Sequence, residues 1–426
     1  MSELAPEIAP APVAAPAEGT EAEESRNPFA VMGYRLWWAA SIVAGTGVGI
    51  QAVTVPLFIR DRVADDQRAT LIAAALICQT IPGALFALIG GVVADRVERR
   101  RILIRTYGVA AAVSLAYVGL SGADVGVIWP VFILSAIVGS AGAFTNPARQ
   151  SMMPQILSMA QLQNGAIFGT MAFMATVQFG GPALGGVVAD HLGLTSAFGF
   201  EVVSLALAAV LFSLIATDPP VPTGKSIFRD LAQGLHHVRS HPPIFGILAL
   251  GTVPGTLLMG PFMVTLVLIV QDVYHQSDTF VGLVVGSMGV GMFLGSVALS
   301  VIRLHRRGML LCFSLVGGGL FWALYGLAPN IWVAMGVMVI AGTLGPAIFI
   351  NFAVALLQEN TERAMMGRVM SIYGLSFSAS VPVGYAQTAA QVALWGPQTT
   401  IVVCAAITIV LGVLSMLFLK PVTRLA

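Results

Sequence analysis

Apolar runs of roughly 20 or more residues, the length a helix needs to cross a bilayer's hydrocarbon core, recur along the whole chain with short polar breaks. They lie at 33–59, 69–93, 102–121, 126–146, 160–189, 194–216, 243–271, 279–302, 308–327, 330–356, 366–392 and 396–419. Lipid offers no water to open backbone groups, so a spanning chain is either helical or a closed barrel. A barrel needs short alternating strands, whereas these runs are continuous Ala, Val, Leu, Ile and Gly. The expectation is an all-α membrane protein of twelve transmembrane helices.

The breaks carry the remaining information. Residues 1–27, MSELAPEIAPAPVAAPAEGTEAEESRN, hold Glu, Pro and Ala without an apolar core or a basic leader, which predicts a disordered acidic tail and no signal peptide. Cys78, Cys312 and Cys404 fall inside spans without metal-ligand spacing and read as small core residues. His236, His237 and His241 cluster near the midpoint, but no acidic or cysteine ligand set accompanies them, so no metal site is expected.

Placing the N-terminus in the cytoplasm puts all but Arg60, Arg62 and Arg68 of the 21 Lys and Arg at internal loops or ends. The positive-inside rule then predicts both termini cytoplasmic. The longest internal break, 217–241, sits at the midpoint, and its Ile227, Phe228, Leu231, Leu235 and Val238 predict an amphipathic helix along the cytoplasmic face. A shift of 207 residues lays Arg96, Arg99 and Arg100 on Arg303, Arg306 and Arg307; a shift of 205 lays Asn146 on Asn351 and Gly169 on Gly374. Two six-helix halves are expected, at 28–217 and 243–420, joined by a linker at 218–242, as in carriers built from repeats.

The densest break is GGVVADRVERRR, residues 90–101, with six charged side chains in a chain that is 10% charged. It resembles the signature loop of the major facilitator superfamily, with Gly91, Asp95, Arg96, Arg99 and Arg100 at the expected places. Glu98 stands where most members have Gly, which is similar to the branch containing enterobactin and macrolide exporters. NPARQSMMPQIL from 146, FRDLAQGLHHVRSHP from 228 and GRVMSIYGLSFSASVPVG from 367 resemble that branch as well. The resemblance covers nearly everything after the tail and implies the major facilitator fold.

It also implies an inner gate held by Asp95 and Arg96, with Arg99 and Arg100 in support and Arg303, Arg306 and Arg307 in the second copy. A carboxylate at a helix end pairs with arginines and favours the N-terminus of a neighbouring helix. Topology alone requires no acid there, whereas Arg101 and Arg105 need do no more than fix topology. In FGGPALGG, residues 179–186, Gly181, Pro182, Gly185 and Gly186 resemble the antiporter motif of the fifth helix. Proline favours a kink and the glycines let a neighbouring helix approach closely. Pro147 and Pro154 bracket Arg149, which predicts a helix ending, a charged turn and a restart.

Substrate sites in such carriers lie near the midplane between the halves. That position nominates Gln51 and Thr54 in the first span, Gln79 in the second, Gln178 in the fifth, Thr256 and Met259 in the seventh, and Tyr373 in the eleventh. Each suits interhelical hydrogen bonding equally well. Glu201 is the only acid clearly inside a span and a candidate proton carrier, unless it reaches the outer interface; Asp61 is the second candidate.

Paired intramembrane acids, a Ser-Lys pair and a phosphate-binding glycine loop are all missing from the sequence, which argues against an enzyme and against direct ATP drive. No arginine lies mid-span, which fits an amphiphile better than a dianion. The expectation is a monomeric carrier in the inner (plasma) membrane, with no cofactor and no nucleic-acid partner. It exports a small amphiphilic molecule, siderophore or drug-like, by alternating access against protons; uptake of an uncharged solute is the alternative.

Overall fold

The computed structural model of the chain describes residues 27–123, 127–217, 227–302, 304–362 and 365–425, without the side chains of 88–92, 94–96 and 227–232. Residues 1–26 of the expected tail, Arg303, and the surroundings of Gly91, Asp95 and Arg96 therefore lie outside the described residues.

Among the described residues, twelve long helices follow one another. The first six are α1 Met32–Arg60, α2 Arg68–Arg96, α3 Arg99–Gly122, α4 Trp129–Met152, α5 Met159–Leu192 and α6 Leu194–Ser213. After the linker come α7 Pro242–Val273, α8 Asp278–Val301, α9 Arg307–Gly326, α10 Ile331–Glu359, α11 Met366–Trp395 and α12 Pro397–Phe418. Eleven of these are long and apolar enough to cross a bilayer. The exception is α11: its 30 residues reach about 45 Å, but Ser376, Ser380, Gln387, Thr388 and Gln391 dilute its apolar content. This least apolar helix packs between the halves, against α2 on one side and α7 on the other.

Local chemistry explains the irregular turns. Proline removes a backbone donor and frees the carbonyl four residues before it. Wide π turns at Thr176–Gly180 in α5, Gly255–Met259 in α7 and Thr343–Ala347 in α10 sit beside Pro182, Pro254 and Pro346. Gly193 alone joins α5 to α6 with φ 82°, and Gly396 alone joins α11 to α12 with φ 77°. The same one-residue turn, open to glycine because φ is positive, thus occurs at matching places in both halves.

One local expectation needs correction. The fourth helix does not end before Pro147 but runs through it to Met152, followed by a short 3-10 turn. Burial of Ala148, Arg149 and Met152 holds that last stretch in place, so tertiary packing overrides the proline signal. The expected linker helix forms at Ile227–Ser240 and rests on the bundle: Val238 is buried and Gly234 abuts Ile372 and Arg368 at the start of α11.

Four apolar cores organise the bundle. At the end where α1 and α7 finish, called here the distal end, one core joins Val53, Leu57 and Val188 to Phe262, Leu266 and Val281. A second joins Phe58, Ile72 and Tyr117 to Leu268, Val381 and Tyr385. Both cross between the halves. At the end that carries the termini, one core draws only on the first half, with Tyr34, Trp37, Tyr107 and Phe212. The other draws on the second half and the linker, with Val238, Ile247, Leu311, Phe349 and Val422. Acyl chains solvate apolar side chains too, so close packing and polar contacts decide which helices stay together.

Candidate functional site

The distal end is tied across the halves by charge. Arg60, the last residue of α1, places Nη2 2.7 Å from Asp272 Oδ1 of α7, and Arg68, the first of α2, places Nη1 3.2 Å from the same oxygen. Asp61 and Asp65 take the other sides of these arginines at 3.3 and 2.8 Å. The side chains of Arg60, Arg68 and Asp272 are 25%, 16% and 29% exposed, so solvent screens them less than an open surface pair. A second polar tie crosses nearby, where Thr279 Oγ1 of α8 donates to Asp190 Oδ2 of α5 at 2.7 Å. Gln271 donates to Asp278 in the same cluster.

Beneath these ties, the glycines expected to mark an antiporter motif make two helix crossings. Gly181 and Gly185 face α1: a methyl on Gly181 would lie 2.7 Å from Gly49 Cα, and one on Gly185 3.1 Å from Ile50 Cα. Gly186 faces the other half, where a methyl would lie 2.5 Å from the Asp278 carbonyl and 3.1 Å from Gly282 N. In return, a methyl on Gly282 would overlap the Pro182 carbonyl. One short motif therefore packs α5 inside its own half and against α8 of the other. The second half repeats the first of these crossings at Gly260 and Gly384, where a methyl on Gly260 would lie 2.6 Å from Gly384 Cα.

Toward the termini, the α5–α8 crossing brings Gly289 against the backbone of Gln178. Phe293, Val297 and Val301 continue the helical face of Gly289 at four-residue steps, and all three are exposed. Met174 and Met171, four and seven residues before Gln178, are exposed as well.

Among the described residues, three arginines at the termini end bond inside their own halves. Arg99 Nε donates to Ser151 Oγ at 3.0 Å, Arg101 pairs with Glu98 at 2.7 Å, and Arg307 pairs with Glu359 at 2.7 Å. Arg306 is exposed with φ 58°, and Arg100 is half-buried at the start of α3. Among the described residues, no ion pair crosses between halves at this end.

The expected cavity residues separate into groups. Gln51 and Gln79 come together: Gln79 Nε2 lies 3.4 Å from Gln51 Oε1, and both line a small pocket of about 20 Å³ with Tyr117 and Ser135. Thr54 bonds back to the Ile50 carbonyl at 3.1 Å. Thr256 Oγ1 donates to the Ser380 carbonyl at 3.2 Å, and its own carbonyl accepts from Gln387, so it ties α7 to α11. Gln178 lends its backbone to the crossing, Met259 is half-buried in the π turn of α7, and Tyr373 lies against Gly251.

Of the two acids, Asp61 sits at the rim beside Arg60, whereas Glu201 is fully buried. Glu201 Oε1 accepts from Gln51 Nε2 at 2.9 Å and from Ser114 Oγ at 2.6 Å. It therefore faces the bundle interior rather than an outer interface.

Sequence reasoning missed Asp272 and Ser114. The seventh apolar run stops at 271, so in the sequence Asp272 reads as a loop acid. The available signal was the three arginines that break the positive-inside count, since Arg60 and Arg68 are held at the distal end by a specific partner.

Comparison with known proteins gives the same fold. The chain covers 92% of itself and 98% of an autoinhibited POT family peptide transporter at TM-score 0.73 and 13% identity. It covers 92% of itself and 98% of a D-xylose-proton symporter at TM-score 0.69 and 14% identity. In sequence it is 26% identical over 408 residues to the enterobactin exporter of Citrobacter koseri, covering 92% of each chain. It is 21% identical over 368 residues to macrolide efflux protein A of Streptococcus pyogenes, covering 85% of this chain and 89% of that one. The family model described as transmembrane secretion effector matches residues 24–424, nearly the whole chain. With that match, the helical bundle and its paired halves, the chain belongs to the transmembrane secretion effector family of major facilitator superfamily transporters.

Proposed function

We propose that this carrier exports a small amphiphilic organic molecule, siderophore or drug-like, by alternating access in exchange for protons. The observation that carries the mechanism is the asymmetry of the bundle, with shared cores and crossing ion pairs at the distal end and separate cores at the termini end. A carrier exposes its site to one side at a time, and a bundle tied across its halves at one end, with no core or ion pair shared between the halves among the described residues at the other, is one stage of that cycle. With both termini cytoplasmic, as the charge distribution expects, the divided end opens to the side from which an exporter loads.

Full-length similarity to an enterobactin exporter and a macrolide efflux protein supports export and the substrate class. Exposed Met171, Met174, Phe293 and Val297 offer adaptable apolar surface suited to an amphiphile. Asp95 and Arg96, with Arg99, Arg100, Arg303, Arg306 and Arg307, form the latch of the opposite stage, made when the termini end closes. Gly181, Pro182, Gly185 and Gly186 let α5 pivot at that change.

Untargeted mass spectrometry tests the reading, comparing spent medium and cell extract of a deletion strain with a complemented one, iron-replete and iron-starved. Export predicts one compound lost from the medium and accumulated in cells, restored only by the active gene. A compound left in the medium and depleted inside the deleted cells would instead establish uptake, the direction suited to an uncharged solute.

A further inference from the structure

Glu201 of α6 is enclosed by α1 and α3 and has no exposed surface. Its Oε1 takes both available donors, Gln51 Nε2 and Ser114 Oγ, while Oε2 is buried without a hydrogen-bond partner. The groups facing it are Gln51 from α1 and Ser114 and Tyr117 from α3. The acid and histidine of α5, Asp190 and His191, lie at its distal end, where Asp190 accepts from Thr279. None of the described ion pairs includes Glu201. A carboxylate so placed, with one oxygen lacking a donor, is costly to keep ionised. A structural hydrogen-bonding role would have been served by Gln, which holds no charge to desolvate.

The other end of Gln51 points along a polar path. Its Oε1 meets Gln79 Nε2 of α2 at 3.4 Å, and both residues line the pocket of about 20 Å³, room for one water. Helix α2 packs directly against α11 of the other half. We propose that Glu201 is the proton-carrying residue of this transporter, and that Gln51, Gln79 and the pocket connect it to the boundary between the halves.

The inference rests on the proton-exchange reading above. A hydronium ion in the pocket gives up its proton and is left as water, and a new O–H bond forms at Oε1, the carboxylate oxygen that faces Gln51. The neutral acid is then a donor where only an acceptor stood before. Turning the Gln51 amide supplies its oxygen as acceptor, and the same turn withdraws that oxygen from Gln79. Protonation in the core of one half is thereby felt on the helix that touches the other.

Infrared titration of the purified full-length protein in lipid bilayers tests this without any substrate. Wild type is expected to show a carboxylic-acid carbonyl band that grows on acidification and vanishes in Glu201→Gln. Should Glu201→Gln fail to fold, Ser114→Ala is expected to keep the band and displace its midpoint by about one pH unit, the weight of one hydrogen bond to a charged group. A band that persists unchanged in Glu201→Gln, or a midpoint untouched by Ser114→Ala, overturns the assignment. Neither outcome bears on whether the protein exports a compound, which the metabolite comparison decides separately.

Discussion

At the distal end, Arg60 and Arg68 of one half share Asp272 of the other and two cores run across the boundary; at the termini end, Arg99 and Arg307 bond within their own halves and each half keeps its own core. Both ends are rich in charge. What differs is where the partner sits, inside the half or across it. Distal closure therefore hangs on a few polar contacts and on side chains that glycine leaves out, and few-residue changes reach it. Two packings of similar energy are easily rebalanced by a kcal/mol or two.

The largest expected effect comes from Asp272→Asn, which leaves Arg60 and Arg68 side by side without their common carboxylate. Loss of a pair this sheltered costs about 2 kcal/mol, between exposed and buried cases, and shifts the population toward a distally open form about 30-fold. Distances between spin labels on distal residues of the two halves measure it. The swapped pair Arg68→Asp with Asp272→Arg should recover part of the closed population. A wild-type distance distribution in Asp272→Asn would mean that the cores alone hold this end.

Gly282→Ala comes next, because the added methyl meets the Pro182 carbonyl, a backbone atom that cannot rotate away. Overpacking costs of about 1–2 kcal/mol predict roughly tenfold distal opening by the same labels. Gly291→Ala sharpens the contrast: its methyl would meet Val339 of α10 inside the second half. It should lower thermal stability while leaving the open-to-closed ratio in place.

A smaller shift, about fivefold or about 1 kcal/mol, is expected from Asp95→Asn, if the latch it belongs to forms only when the termini end closes. Folding and expression should hold while transport falls. Unimpaired transport by well-expressed Asp95→Asn would remove the latch. Smallest of all is Arg101→Gln, which removes a mostly exposed pair with Glu98 within one half and should change the distance populations less than about twofold.

Much of the fold was legible because lipid imposes a length on every helix. The read spans match the helices closely except at α4, where the rule that proline ends helices lost to the burial of Arg149 under the Phe173 ring, 3.7 Å from its guanidinium carbon. The site was legible in part. Glu201 stood out as an acid inside an apolar run, but its partners come from residues 87 and 150 positions away. The antiporter-like glycines could be located, yet nothing in FGGPALGG told that Gly181 and Gly185 face α1 while Gly186 faces α8.

The sequence by itself determined the helices, the charge at their ends and the family, since each follows from local demands: a backbone in lipid must satisfy its own hydrogen bonds, and charge stays near water. Only the tertiary structure decided that two cores join the halves at the distal end, that Asp272 is the acid on which two arginines of the other half converge, and that Glu201 meets Ser114 and Gln51. Those choices are made by contacts between residues far apart in the chain, and no single stretch of the sequence records them.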